Sequence, residues 1–170
     1  MIKSMFDKLF TFLFLVLVTI ICVFGFACCH GVAQAQGPVA RAEKGPSLLS
    51  IDSYRRSLRP FLDALATVES NNDDSATGDD GKAIGRYQIW SIYWDDAKAF
   101  APAIKGEYSD CRNKEYAERV VVAYLLRYAE NAVKVRDYQT LARIHNGGPK
   151  GAQKAATLKY WLKVEKILAK

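Results

Sequence analysis

Glu69 ends an apolar stretch and is followed at once by the polar run Ser70-Asn71-Asn72-Asp73-Asp74. Apolar neighbours and the negative end of a helix dipole both disfavour a charged carboxyl, so its pKa is expected to rise. A carboxyl kept protonated near neutrality can donate a proton to a leaving group. Asp73, Asp74, Asp79 and Asp80 follow closely, and acid pairs suit both calcium loops and glycoside chemistry. The stretch Asp73 to Gly81 lacks the alternating ligands and closing Glu of an EF-hand loop, so no metal site is expected. Next comes Gly85-Arg86-Tyr87-Gln88-Ile89-Trp90, then Tyr93 and Trp94. Flat apolar rings beside hydrogen-bonding groups are what a sugar-binding cleft needs. Arg143-Ile144-His145-Asn146-Gly147-Gly148-Pro149 adds a compact turn that lets backbone approach a ligand. Each segment has a plain structural alternative: a solvated helix-end Glu, a solvated acidic turn, core aromatics (where Trp94 is assigned), and a structural glycine turn.

Helices must carry these groups. Ser57 to Glu69 places Leu58, Phe61/Leu62, Leu65 and Val68 at spacings of three and four, with Pro60 suited to a first turn. Ser75 to Ile89, with three glycines and an Asp79-Asp80-Gly81 turn, predicts a small hairpin. Ile92 to Phe100 and Gln139 to Ile144 predict short helices, and Asn113 to Asn131 a long one. In a last helix, Gln153 to Ala169, Leu158, Trp161/Leu162 and Leu168 form one side and lysines the other. The fold class is α+β, predominantly α.

Leu9 to Ala27 is an apolar run preceded by Lys3 and Lys8 and followed by Ala33-Gln34-Ala35. It reads as a secretory signal over residues 1–35, cleaved after Ala35, with a linker over 36–50 and a catalytic domain over 51–170. An uncleaved membrane anchor is the alternative, with lipidation at Cys28 a distant third. The domain is therefore expected to be secreted or periplasmic, touching a membrane only if the segment is retained. Cleavage removes Cys22, Cys28 and Cys29 and leaves Cys111 alone, read as a small buried residue. It lowers the net charge from +6 to +5. That excess favours an anionic partner. The lysines are scattered along solvated helix faces, which argues against nucleic acid. Half the residues are apolar and a quarter charged, excluding a disordered or low-complexity chain.

Five segments in order resemble the invertebrate-type (destabilase-like) lysozymes, in the superfamily that includes lytic transglycosylases. They are Val68-Glu69-Ser70; Gly85-Arg86-Tyr87-Gln88-Ile89 with Tyr93-Trp94; Tyr124-Leu125-Leu126-Arg127-Tyr128-Ala129; His145-Asn146-Gly147-Gly148-Pro149-Lys150-Gly151; and Lys159-Tyr160-Trp161. The resemblance implies a lysozyme-like helical domain with a small β-hairpin after the acid-bearing helix. It implies Glu69 as general acid and a second carboxylate about eleven residues on, pointing to Asp80, whereas the family's Asp-x-Gly pattern favours Asp79. Tyr87, Gln88, Ile89, His145, Asn146, Gly147 and Gly148 would line sugar subsites. The implied reaction is hydrolysis of the β-1,4 bond between N-acetylmuramic acid and N-acetylglucosamine in peptidoglycan glycan strands, without a cofactor. Two alternatives stay open: a lytic transglycosylase leaving 1,6-anhydro ends with Glu69 alone, and a non-catalytic glycan-binding module. The family is disulfide-dense and this chain is not, so the isopeptidase activity of some members is not carried over.

Overall fold

The computed structural model describes residues 45–170. The expected signal segment and the first part of the expected linker lie outside these residues. Helix starts earlier than the sequence suggests: α1 spans Leu48–Ser57, opened by Ser47 accepting from the Ser50 amide, and buries Ile51. Residues 48–50 therefore belong to the first helix rather than to a linker. The helix expected from Ser57 is α2, Arg59–Ser70, with Pro60 in its first turn where a missing N–H costs nothing. It ends at Asn71 in the left-handed conformation, with φ 56°.

The predicted hairpin is a three-stranded antiparallel meander of β1 (Thr77–Gly78), β2 (Ala83–Ile84) and β3 (Ile89–Trp90), in that order. Thr77 faces Ile84 and Ala83 faces Trp90. Two-residue strands cannot stand alone, so side chains from elsewhere hold them. Arg112 donates to the Ser75 and Ala76 carbonyls and to Thr77 Oγ1, and the Tyr108 hydroxyl donates to the Lys82 and Ile89 carbonyls. Arg86 grips Asp74 through two nitrogens at 2.6 and 2.8 Å. Asp73 accepts from the Ser75 amide and hydroxyl. Those two acids thus shape the loop.

Four more helices follow. α3 spans Ser91–Phe100. α4 spans Lys114–Val135, capped by Asn113 on the Tyr116 amide and broken in its regular dihedrals at Ala129. α5 spans Tyr138–Gly147 and α6 Leu158–Leu168. α4 is the central element, packing against α1, α3 and α5, while α6 packs against α2 and α5. Its fully buried Val120, Val121 and Leu125 share the core with Phe61, Leu62 and Leu65 of α2 and Leu141 of α5. Each such large side chain contributes on the order of 1.5–3 kcal/mol.

The last helix differs from its expected orientation. Leu158 and Leu162 are 41% and 59% exposed, and Val164 is the residue α6 buries completely. Tyr160, Val164 and Ile167 form the centre of the inward stripe, at spacings of four and three, and of the expected side Trp161 and Leu168 also pack half-buried against the core. Apolar residues surround most of this helix, so periodicity alone did not select the face.

A buried ionic cluster ties α1, α2 and α4 together. The Glu118 carboxylate, fully inside, accepts from Arg59 at 2.6 and 2.7 Å, from Arg55 at 3.1 Å and from the Tyr87 hydroxyl at 3.2 Å. Asp52 extends it by bridging Arg55 and Arg119. Burial raises the Glu118 pKa, but the two guanidinium groups outweigh it and hold the carboxyl below its usual range. Cys111, the sole cysteine among the described residues, is buried, and burial pushes its thiol up to about 12. A thiol so hard to ionise is no nucleophile.

Candidate active site

The carboxyl of Glu69 leaves the last turn of α2 and meets side chains from α5 and α6. The Tyr160 hydroxyl donates to Oε1 at 2.6 Å, and His145 Nε2 stands 3.5 Å from the same oxygen. The hydroxyl of Tyr93 lies 3.1 Å from the other ring nitrogen of His145, Nδ1. Tyr93 in turn stacks on Tyr124 with centroids 3.6 Å apart. Both contacts fall on Oε1, and no hydrogen bond from the described residues reaches Oε2. The Glu69 side chain is 18% exposed.

The expected rise in the Glu69 pKa is reversed. Burial is the largest influence and pushes it up, but hydrogen bonding and charge from His145, the Tyr160 hydroxyl and Lys163 together pull it below its ordinary value. Local sequence shows the helix end and its apolar neighbours; it does not show donors arriving from helices that start some 70 and 90 residues later. Burial and the adjacent carboxyl move the Tyr160 hydroxyl the other way, well above its ordinary value. It therefore remains a donor.

Glu69 opens into a cleft of about 430 Å³. Of the two hairpin acids left open by the sequence, Asp79 lines this cleft and Asp80 does not. Both sit in the left-handed region, φ 50° and 55°, in the 3₁₀ turn Asp79–Gly81. Non-glycine residues are seldom held there without a local reason. For Asp79 one contact is visible: its Oδ2 accepts from the indole N–H of Trp90 at 3.0 Å. Gln88, also at positive φ (45°), lines the cleft with its amide anchored on the Gly85 carbonyl at 2.9 Å. Gly78 permits this, because a Cβ there would strike the Gln88 side-chain oxygen.

His145, Asn146 and Gly148 line the cleft beside Gln88 and Asp79. Three expected lining residues are elsewhere. Tyr87 is fully buried with its hydroxyl on Glu118, and Ile89 is 1% exposed in the core. Alternation along the short β3 turns Ile89 inward and its neighbour Trp90 outward. Gly147 packs against Thr157 and Lys154. The lining instead includes Trp90, Ile92, Tyr93, Asp96 and Tyr124, to which Tyr160 adds its bond to Glu69. Tyr93, Tyr124 and Tyr160 all stood in the segments quoted above, but helical spacing marks such aromatics equally well as core.

A mainly helical domain, a small antiparallel sheet, and one cleft lined by both a helix-end glutamate and a hairpin aspartate define a lysozyme-like protein. The Destabilase family model matches residues 59–167, and the chain belongs to that family. A lysozyme of Magallana gigas is 37% identical over 84 residues, covering 48% of this chain and 58% of that protein. An invertebrate-type lysozyme of Ruditapes philippinarum is 33% identical over 86 residues, covering 50% and 60%. The chain thus spans little more than half the length of these relatives. The crystal structure of inhibitor-bound lysozyme from Meretrix lusoria superposes with a TM-score of 0.54 at 29% identity, covering 64% of this chain and 88% of that one.

Proposed function

We propose that this protein is a muramidase that hydrolyses the β-1,4 bond between N-acetylmuramic acid and N-acetylglucosamine in peptidoglycan. One observation carries the reading: Glu69 and Asp79, from a helix end and a hairpin turn, line the same cleft. Glu69 delivers a proton from Oε2 to the leaving oxygen while Tyr160 and His145 hold Oε1. Saccharide filling the cleft displaces water from the carboxyl and strengthens the burial effect, which favours the protonated form that acid catalysis needs. Asp79 faces the positive charge that grows on the sugar ring, as nucleophile, as base for water or as electrostatic partner. Gln88, Asn146 and the backbone near Gly148 supply directional hydrogen bonds. The net positive charge draws the enzyme to an anionic wall, an attraction that weakens with salt.

The test is mass spectrometry of muropeptides released from purified sacculi. Reducing ends are expected; 1,6-anhydro ends would replace hydrolysis by transglycosylation, and no products would leave a binding module. Asp79→Asn should lower the release rate by roughly 10- to 100-fold, because a growing positive charge loses its counter-charge. Asp80→Asn should stay within about threefold, as expected for a surface change away from the site. The opposite ranking would move the second carboxylate to Asp80.

The reading also includes export, supported by Lys3, Lys8, the apolar run Leu9 to Ala27 and Ala33-Gln34-Ala35. N-terminal sequencing of the protein recovered outside the cytoplasm should begin at Gln36. A chain that keeps residues 1–35 and sediments with membranes would make the segment an anchor.

A further inference from the structure

Seven large hydrophobic side chains of the described residues are exposed, and two of them, Trp90 and Ile92, line the cleft. Trp90 is 42% exposed although its backbone is fixed on both sides, in register with Ala83 in the sheet and at the N-cap of α3. Its indole N–H is committed to Asp79 Oδ2 at 3.0 Å. The ring therefore has a polar edge bound to the second carboxylate and an open apolar surface on the cleft. An indole with one tethered edge suits the C–H face of a pyranose, because it offers a large contact area with little rotamer freedom left to lose. The Lys82 ammonium lies over the ring at 5.9 Å from its centroid, which helps fix the ring plane. Asp79 needs such a tether. It sits exposed on a turn, at φ 50°, and Trp90 is the sole side-chain donor to its carboxylate among the described residues.

We propose that Trp90 is the sugar-stacking platform of this cleft and, through the same indole, the positioning residue for Asp79, so that saccharide on the ring steadies the carboxylate. The proposal rests on the glycan-cleaving reading above. It assigns two separable effects to one side chain. Phenylalanine keeps a stacking ring and loses the N–H; alanine loses both.

The experiment has two arms. In the first, tetra-N-acetylchitotetraose is titrated calorimetrically into Glu69→Gln protein, which leaves the ligand uncut, carrying Trp90, Trp90→Phe or Trp90→Ala. Affinity should stay within about threefold for Phe and fall at least about tenfold for Ala, as for loss of a central aromatic anchor. In the second, cleavage of sacculi is measured with Glu69 intact. Trp90→Phe should lower kcat by about tenfold with KM nearly unchanged, because a misplaced group costs rate rather than ground-state binding. In the Asp79→Asn background the same substitution should add less than about twofold, since neighbours acting through one another are not additive.

Unchanged affinity in Trp90→Ala overturns the platform, and unchanged kcat in Trp90→Phe overturns the positioning role. Should Trp90→Ala fail to fold, the Phe variant and its cycle with Asp79→Asn still decide the second point, and indole fluorescence decides the first. Parent protein should show a saccharide-dependent emission change that Trp90→Phe lacks, and an identical change in both overturns the platform. A parent that releases nothing from sacculi overturns the glycan-cleaving reading itself, which is distinguishable from a parent that cuts while its Trp90 variants behave like it.

Discussion

Glu69→Gln should leave the domain folded and slow release of muropeptides by at least about 10²-fold, the lower end of what a positioned proton donor contributes. The amide keeps an oxygen for the Tyr160 hydroxyl, now 2.6 Å from Oε1, and has the size of the carboxyl it replaces. It has no proton to give to a leaving oxygen. The same variant reports on pH. Glu69 has its folded pKa depressed below its ordinary 4.5, so its charged form contributes stability that is fully present above that value. That contribution is lost as pH falls below 4.5 through the depressed folded value. Melting temperatures of parent and Glu69→Gln should therefore converge on acidification below pH 4.5. Parental cleavage rates in a folded Glu69→Gln protein would remove Glu69 from the role of acid.

The second large effect falls on folding. Glu118→Gln should destabilise the domain by about 2–4 kcal/mol, a loss set by the guanidinium groups left behind more than by the carboxylate removed. Arg55 is 16% exposed and Arg59 35%, so Arg55, away from water, is left with Asp52 alone, while Arg59 keeps partial solvation and Asp63. That partial solvation is why the expected loss lies below the figure for two fully buried ions. The cluster joins α1, α2 and α4 in a domain that has no disulfide among its described residues. It also anchors Tyr87, one residue from Gln88 in the cleft wall. Urea denaturation at neutral pH should show the lower midpoint with an unchanged slope. A shift below about 0.5 kcal/mol, the range of an ordinary surface change, would mean that packing alone holds these helices.

Much of this protein is legible one segment at a time. Leu58, Phe61, Leu62, Leu65 and Val68 repeat at helical spacing; the first four are buried in the structure and Val68 packs half-buried against the same core. The acidic turn and glycines after Glu69 specify a hairpin because glycine and aspartate tolerate its dihedrals. Asn113 announces the start of α4 because a side-chain cap acts over three residues. These are local rules, and they placed Glu69 at a helix end with acidic residues on the turn beyond it.

What they could not settle depended on residues far away in the chain. Asp79 and Asp80 are chemically identical neighbours, and only the fold of the turn and the Trp90 indole eleven residues on select Asp79 for the cleft. Tyr87 looked like a cleft aromatic until Glu118, 31 residues later, claimed its hydroxyl in the core. The direction of the Glu69 pKa turned first on His145 of α5 and then on Tyr160 of α6, the latter 91 residues away. Sequence periodicity determines which elements form, because backbone geometry repeats over three or four residues. Tertiary structure alone decided which face each element shows, and therefore the charge state of Glu69, because burial and hydrogen bonding are set by whichever side chains packing brings within a few ångströms.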